Sequence, residues 1–310
     1  MSALRLRARV AQTIWWALPA LALLALGASW MVGTGRAAPA TASPRGRAAH
    51  RALAPRPLAA AGVLRVCADP NNLPYSDRQG RGFENRIAEL IARDLHQRVA
   101  YTWWPGRDNF VRKTLDARLC DVVIGIDAGD DDVVTSTPYY RSTYVFVQRR
   151  GTDPIRSFDD PRLRRMRVGV HVIGDDALPP GVALVHRHLA HNIRGYTIYG
   201  NHAQPRLIEA VARGAVDVAV AWGPLAGYFA PRASVPLTVT PVADSTAAPG
   251  LPFTYAIALG VRYGDRARLS QLETVLRRRA PQVRAILRAY GVPLVADRST
   301  LIAASAGEGR

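Results

Sequence analysis

With 310 residues, 48% of them hydrophobic, the chain is too apolar for a disordered protein and long enough for two domains with full cores. Its formal net charge of +17 would suit nucleic acid, yet the 41 Lys+Arg include a single lysine, Lys113. The arginines are scattered, with no basic run and no nucleic-acid motif, so the charge points to an acidic partner protein instead.

Residues 1–40 read as an export signal. Arg5, Arg7 and Arg9 give the positive start, Ile14 to Val32 is apolar apart from small residues, and Ala38-Pro39-Ala40 offers a cleavage site. The apolar run is also long enough to cross a bilayer, so an uncleaved anchor is the alternative. Cleavage after Ala40 removes four arginines and no acid, leaving +13. No cysteine precedes Cys67, so no lipoprotein attachment point is available. Residues 41–62, rich in Ala, Arg and Pro, read as a flexible tether, and 296–310 as a disordered tail. The expected location is the periplasm, with no membrane contact once the signal is cleaved.

The first strand is Leu64 to Cys67. A loop crowded with turn formers follows (Asp69-Pro70-Asn71-Asn72, Pro74, Gly80), and then Phe83, Ile87, Leu90, Ile91 and Leu95 mark one face of a helix. Such a loop is too long for a plain connection and lies where α/β sheets hold ligands. Val99 to Trp104 reads as a strand, Asn109 to Leu119 as a helix with Val111, Leu115 and Leu119 inward, and Asp121 to Ile126 as a strand buried on both faces. Tyr144 to Gln148 is a further strand, and Gly151 to Pro154 breaks the pattern. The order then begins again: strands Met166–His171 and Gly195–Tyr199, helix Pro205–Arg213, strands Val216–Trp222, Leu237–Val242 and Phe253–Val261. Helices Arg266–Arg279 and Pro281–Tyr290 close the chain, the last stopped by Gly291. The alternation predicts an α/β protein of two lobes, each a mostly parallel sheet flanked by helices, with crossings near Arg149–Pro154 and Thr240–Pro252.

Strand ends nominate the lining of a cleft between the lobes. The first strand delivers Asn71, Asn72 and Tyr75, the second Trp103 and Trp104, and the third Asp127, with Thr137, Tyr139 and Arg141 beyond. Across the cleft lie His171, Ile173, Tyr199, Trp222 and Tyr228. An aromatic lining with few polar groups is the usual make-up of a small-molecule pocket, although any one of these rings could equally be core. Asp127, Asp130, Asp131 and Asp132 offer hard oxygen ligands, but their spacing is not that of a calcium loop. His186, His188 and His191 are unevenly spaced and read as a solvated basic segment. Catalytic motifs are absent; Glu84 and Asp127 could each supply a carboxylate, without an evident acid partner. Export permits a Cys67–Cys120 disulfide. Parallel pairing of their strands would set Cys67 nearer Val123, so a bridge and two buried small hydrophobes stay open as alternatives.

The wording of the chain resembles one family. LRVCADPNNLPYSD, RGFENRIAELIARDL, YTWWP, FVRKTLDARLCDVV, TPYYRSTYVFV, RGYTIYG and VDVAVAWGPLAGYF are similar to solute-binding-like proteins associated with quinoprotein methanol dehydrogenases, a branch of the type 2 periplasmic binding proteins. The resemblance covers about residues 62–295. It implies the two-lobed type 2 fold, with the C-terminal helices returning to the first lobe (63–150 and 250–295) and the second lobe spanning 151–249. It implies a periplasmic accessory protein that binds a dehydrogenase carrying pyrroloquinoline quinone, or a small ligand, without catalysis and without a cofactor of its own. The alternative is the substrate-binding protein of an ABC importer. Amino-acid-binding relatives of that superfamily carry an Arg clamp after the third strand and an Asp that holds the amine. Here those places read Asp127-Ala-Gly-Asp130-Asp-Asp132 and Trp222, so the expected solute is not a free amino acid.

Overall fold

The computed structural model describes residues 62–106, 109–174, 176–200, 202–243 and 251–296, with only the backbone of Asp176. The expected signal segment, all but the last residue of the tether and all but the first of the tail lie outside the described residues.

The first lobe opens with β1 (Val63–Ala68), α1 (Phe83–Asp94), β2 (Arg98–Trp103), α2 (Phe110–Thr114) and β3 (Val122–Asp127). Strands β2, β1 and β3 are parallel neighbours. The helix stripe read from the sequence buries Phe83, Ile87 and Ile91 against them. The long strand β4 (Tyr140–Arg149) leads out. The second lobe holds β5 (Val168–Ile173), α3 (Pro179–His186), β6 (Ile193–Thr197), α4 (Arg206–Ala212), β7 (Val218–Trp222), α5 (Gly223–Phe229) and β8 (Leu237–Pro241). Its parallel triple is β6, β5 and β7. Strand β9 (Thr254–Val261) and helices α6 (Arg266–Arg278) and α7 (Ala280–Ala289) return to the first lobe. Asp94 at the end of α1 takes Arg278 and Arg279, the latter at 2.6 Å, and Tyr290 Oη donates to the Arg81 carbonyl at 2.6 Å.

The two parallel triples are joined by antiparallel strands. Residues 140–143 of β4 pair with β9, whereas 144–148 pair with β7 and 145–149 with β8. The chain therefore changes sheets inside β4, earlier than the crossing expected near Arg149–Pro154. Two helices escaped the sequence reading. In α3 the run Pro179-Pro180 suits a first turn that needs no amide donors but offers no amphipathic signal, and α5 is short and small-residued (GPLAGYF). The helix expected over Asn109–Leu119 stops at Thr114. Amides of Asp116 and Leu119 close turns on Val111 and Thr114, Arg118 adopts φ 58°, and Leu119 is exposed rather than inward.

That turn resolves the cysteine question. In register Cys67 opposes Val123, yet the chain bends as it enters β3, and the Cys67 and Cys120 Cα atoms lie 5.4 Å apart with the sulfurs bonded. The bend is clamped from both sides. Arg65 binds Asp121 through Nε and Nη2 at 2.8 and 2.6 Å, and Arg262 donates to the Cys120 carbonyl and to Asp121. A bridge across 53 residues removes chain entropy from the unfolded state worth about 4 kcal/mol. Urea unfolding of Cys67→Ser/Cys120→Ser is expected to show a loss approaching that size; a loss below about 1 kcal/mol would contradict the assignment of a stabilising role.

Candidate functional site

The loop between β1 and α1 is held from several directions. Asn85 Oδ1 accepts from Gly82 N at 3.1 Å and from Asp77 N at 3.0 Å, while Asp77 accepts from Arg81 N and Nε at 2.7 and 2.5 Å. Gly82 is required by close approach: a Cβ there would lie 1.9 Å from the Tyr75 carbonyl oxygen. That oxygen accepts from Glu84 N at 2.9 Å, which sets Tyr75 and Glu84 side by side.

A first cavity of about 180 Å³ opens between this loop and the second lobe, lined by Asp69, Asn71, Asn72, Gly106, Tyr199 and Gln204 among others. Gln204 Nε2 donates to Asn72 Oδ1 at 3.3 Å, tying the two sides together. The Asp69 carboxylate is already engaged by the amides of Asn71 and Gly106, at 2.7 and 2.5 Å.

A second cavity of about 40 Å³ lies where the two sheets join. Its walls are Tyr75, Glu84, Gly125 to Asp127 on β3, Tyr140 and Tyr144 on β4, Tyr255 and Ile257 on β9, and Trp222 at the end of β7. The rings fix one another edge to face, with centroids 5.3 Å apart for Tyr144–Trp222 and 5.6 Å for Trp222–Tyr255. Gly125 makes room for an acid, since a Cβ there would lie 2.0 Å from Glu84 Oε1. The Tyr75 and Tyr255 hydroxyl oxygens are buried with no hydrogen-bond partner among the described residues. Burial pushes the Asp127 carboxyl up to about 6, helped by the charge of Asp130, and burial also raises Glu84. The cavity thus couples two carboxylates that resist ionising to phenols whose own ionisation is suppressed by burial.

No family model matches the sequence. Protein MoxJ of Methylorubrum extorquens is 35% identical over 290 residues, covering 89% of this chain and 95% of that protein. The chain belongs to the MoxJ family. MoxJ of Paracoccus denitrificans is 30% identical over 80% of this chain and 95% of its own length. Among solved structures, the periplasmic binding protein XoxJ from Methylobacterium extorquens AM1 matches with 36% identity and a TM-score of 0.64, covering 76% of this chain and 100% of that one. MxaJ from Methlophaga aminisulfidivorans MPT matches with 30% identity and a TM-score of 0.67, over 75% and 100%. The fold is accordingly the two-lobed type 2 periplasmic-binding-protein fold that the resemblance implied.

Within this MoxJ-family fold the residues nominated from strand ends scatter. Asn71, Asn72 and Tyr199 line the larger cavity, and Tyr75, Asp127 and Trp222 the smaller. Trp103 and Trp104 line neither. Trp103 stacks on Tyr101 at 4.5 Å along the same strand face, and Trp104, 37% exposed, lies under Lys113 at 5.4 Å. Thr137 is tied through its amide and hydroxyl to Glu273 on α6, and Tyr139 Oη donates to the Ile124 carbonyl. Arg141 and Ile173 also line neither cavity, while Tyr228 stacks on Tyr290 at 5.7 Å. His171 is enclosed within β5, 3% exposed, and its Nε2 has no partner among the described residues. The reading did not place Glu84 in one cavity with Asp127, and it missed Tyr140, Tyr144 and Tyr255.

The titrations oppose each other. Asp127 rises from an ordinary carboxyl near 3.9 to about 6, so folding takes up a proton between these values and stability from this group falls as pH rises through them. His171 is held down to about 4 by burial, so its contribution is complete above its ordinary value near 6.5 and is lost as pH falls toward 4. Each is worth up to about 3 kcal/mol. Asp127→Asn is therefore expected to melt higher than wild type at pH 7.5, with the gap closing by pH 4, and to lose stability on acidification more steeply. Equal melting temperatures at pH 7.5 would refute the buried-charge account of Asp127.

Proposed function

We propose that this chain is an exported accessory protein of a methanol dehydrogenase that carries pyrroloquinoline quinone, acting in the periplasm by binding rather than by catalysis. The observation that carries it is membership of the MoxJ family over 89% of the chain, taken with the resemblance of this chain's motifs to dehydrogenase-associated solute-binding-like proteins. The charge supports a docking role. From Arg266 to Arg288, helices α6 and α7 and the residue joining them, Arg279, carry seven arginines against one acid, Glu273. Arg266, Arg284 and Arg288 are exposed. Arginine forks match carboxylates bidentately, so an acidic partner face is steered to this surface and screened from it by salt. Trp104 is the exposed aromatic anchor; Trp222, 7% exposed, belongs to the structure of the cavity.

The test is capture from the host's periplasmic extract on the immobilised protein. A quinoprotein dehydrogenase is expected to be retained at low salt and released at high salt, and Arg266→Ala/Arg284→Ala/Arg288→Ala is expected to slow association with little change in release. If no such enzyme is retained at low salt, and deleting the gene leaves methanol oxidation intact, the accessory reading falls and the importer reading takes its place.

A further inference from the structure

We propose that the small cavity at the junction of the two sheets is a binding site for a small alkylammonium ion, held between the Glu84 and Asp127 carboxylates against a ring of aromatic side chains. This deepens the reading of the cleft as a binding site and does not depend on the dehydrogenase link.

Charge comes first. Glu84 and Asp127 face one cavity, and neither has a cationic side chain beside it among the described residues. Burial makes each carboxyl resist ionising, and a cation bound beside it favours the charged form. A ligand carboxylate would meet them as a like charge, and the arginine that could offset this is replaced by the run of acids from Asp127 to Asp132. The site selects for positive charge inside a chain whose overall charge is strongly positive, so the selection is local and not a by-product of net charge.

The wall decides which cation. Calcium wants six to eight oxygens, and among the described residues no group of three or more metal-ligating side chains is placed to hold an ion. The rest of this wall is mainly aromatic: Tyr140, Tyr144, Tyr255 and Trp222 line the space. Ring faces attract an organic ammonium, whose methyl groups also gain contact with them. The N–H groups have acceptors waiting. Besides the carboxylates, the Tyr75 and Tyr255 hydroxyl oxygens are buried and unpartnered among the described residues, and a buried phenol without a partner is costly unless a ligand or water supplies one. Size sets the limit. About 40 Å³ suits a small ion such as methylammonium or dimethylammonium, and the two carboxylates disfavour an amino acid, which would bring its own carboxylate. Gly125 keeps the Glu84 carboxylate in the wall, since any larger side chain there would displace Oε1.

The experiment is a ligand-observed NMR titration of the purified protein with methylammonium chloride at constant ionic strength and pH 7.5. Parallel titrations use tetramethylammonium, potassium, calcium and glycine. So small a ligand has a low ceiling on affinity, so saturation in the millimolar range is expected for methylammonium. Tetramethylammonium, glycine and both metal ions should bind at least tenfold more weakly. Glu84→Gln and Asp127→Asn each remove a buried charge rather than a partner, so both should fold, checked by circular dichroism, and each should weaken methylammonium at least tenfold. Tyr255→Phe should weaken it less. Potassium or calcium binding as tightly as methylammonium would overturn the proposal in favour of an inorganic cation site. Unaltered methylammonium affinity in both carboxylate variants, or no saturation at all, would also overturn it. None of these outcomes touches the capture of a dehydrogenase, and failure of that capture leaves the titration standing.

Discussion

Tyr144 is the residue on which both sheets converge. Its amide donates to Phe253 at the edge of β9, its carbonyl accepts from Val242 beyond β8, and in register it opposes Trp222 at the end of β7. Its ring meets Trp222, Phe253 and Tyr255. A strand paired on both edges cannot slip, because a shift of one residue would turn its whole buried face outward. Strand β4 is buried almost throughout, so its register fixes where the two parallel triples stand, and with it the distance between Trp222 on one side and Asp127 on the other. The small cavity is what is left where the two triples fail to close completely around this residue.

Such a cavity is a liability for folding. It leaves two phenol hydroxyls buried without a partner among the described residues and holds two carboxyls where burial resists their ionisation, against the rule that buried polar groups find partners. The rest of the first lobe is arranged to tolerate it. The disulfide and the Arg65–Asp121–Arg262 cluster tie β1, the start of β3 and the end of β9 together, and α7 bears on the start of α1 through Tyr290 and Arg81. Local conflicts between stability and environment collect at functional sites in proteins whose other levels agree. Asp127 and His171 also oppose each other in their response to pH, so neither is conspicuous in a wild-type pH profile.

Most of the fold was legible because parallel triples announce themselves. Their strands are short apolar runs such as Val122 to Ile126 and Val216 to Trp222, separated by loops rich in turn formers, and the stripe from Phe83 to Leu95 has a helical period. The site was half legible for the same reason. Strand ends of parallel triples deliver Asn71, Tyr75, Asp127, Tyr199 and Trp222, and all of these reach a cavity. What strand ends cannot deliver is the interior of a connecting strand. Tyr140 and Tyr144 stand four apart on β4, hence on one face, and Tyr255 and Ile257 share a face of β9 in the same way. Their role appears only once β4 is known to serve two sheets. Glu84 was hidden differently: an acid in the first turn of a helix has a sufficient reason to be there in the helix dipole, so nothing in the sequence marked it as sharing a cavity with Asp127.

The two charge systems of this chain act at different ranges, which is why they need not conflict. Arg266, Arg284 and Arg288 stand in water, where a Debye length of about 8 Å limits their reach at physiological salt, and they act on a partner's approach more than on its grip. Glu84 and Asp127 sit in a small apolar enclosure, where an opposite charge is felt far more strongly than at the surface. An anion drawn toward the protein by the arginines would still be refused by the acids inside. A cation held by the acids gains little from the field outside. One chain can thus present a basic face to a protein and an acidic cavity to a small ion, provided the aromatic wall keeps bulk water out from between them.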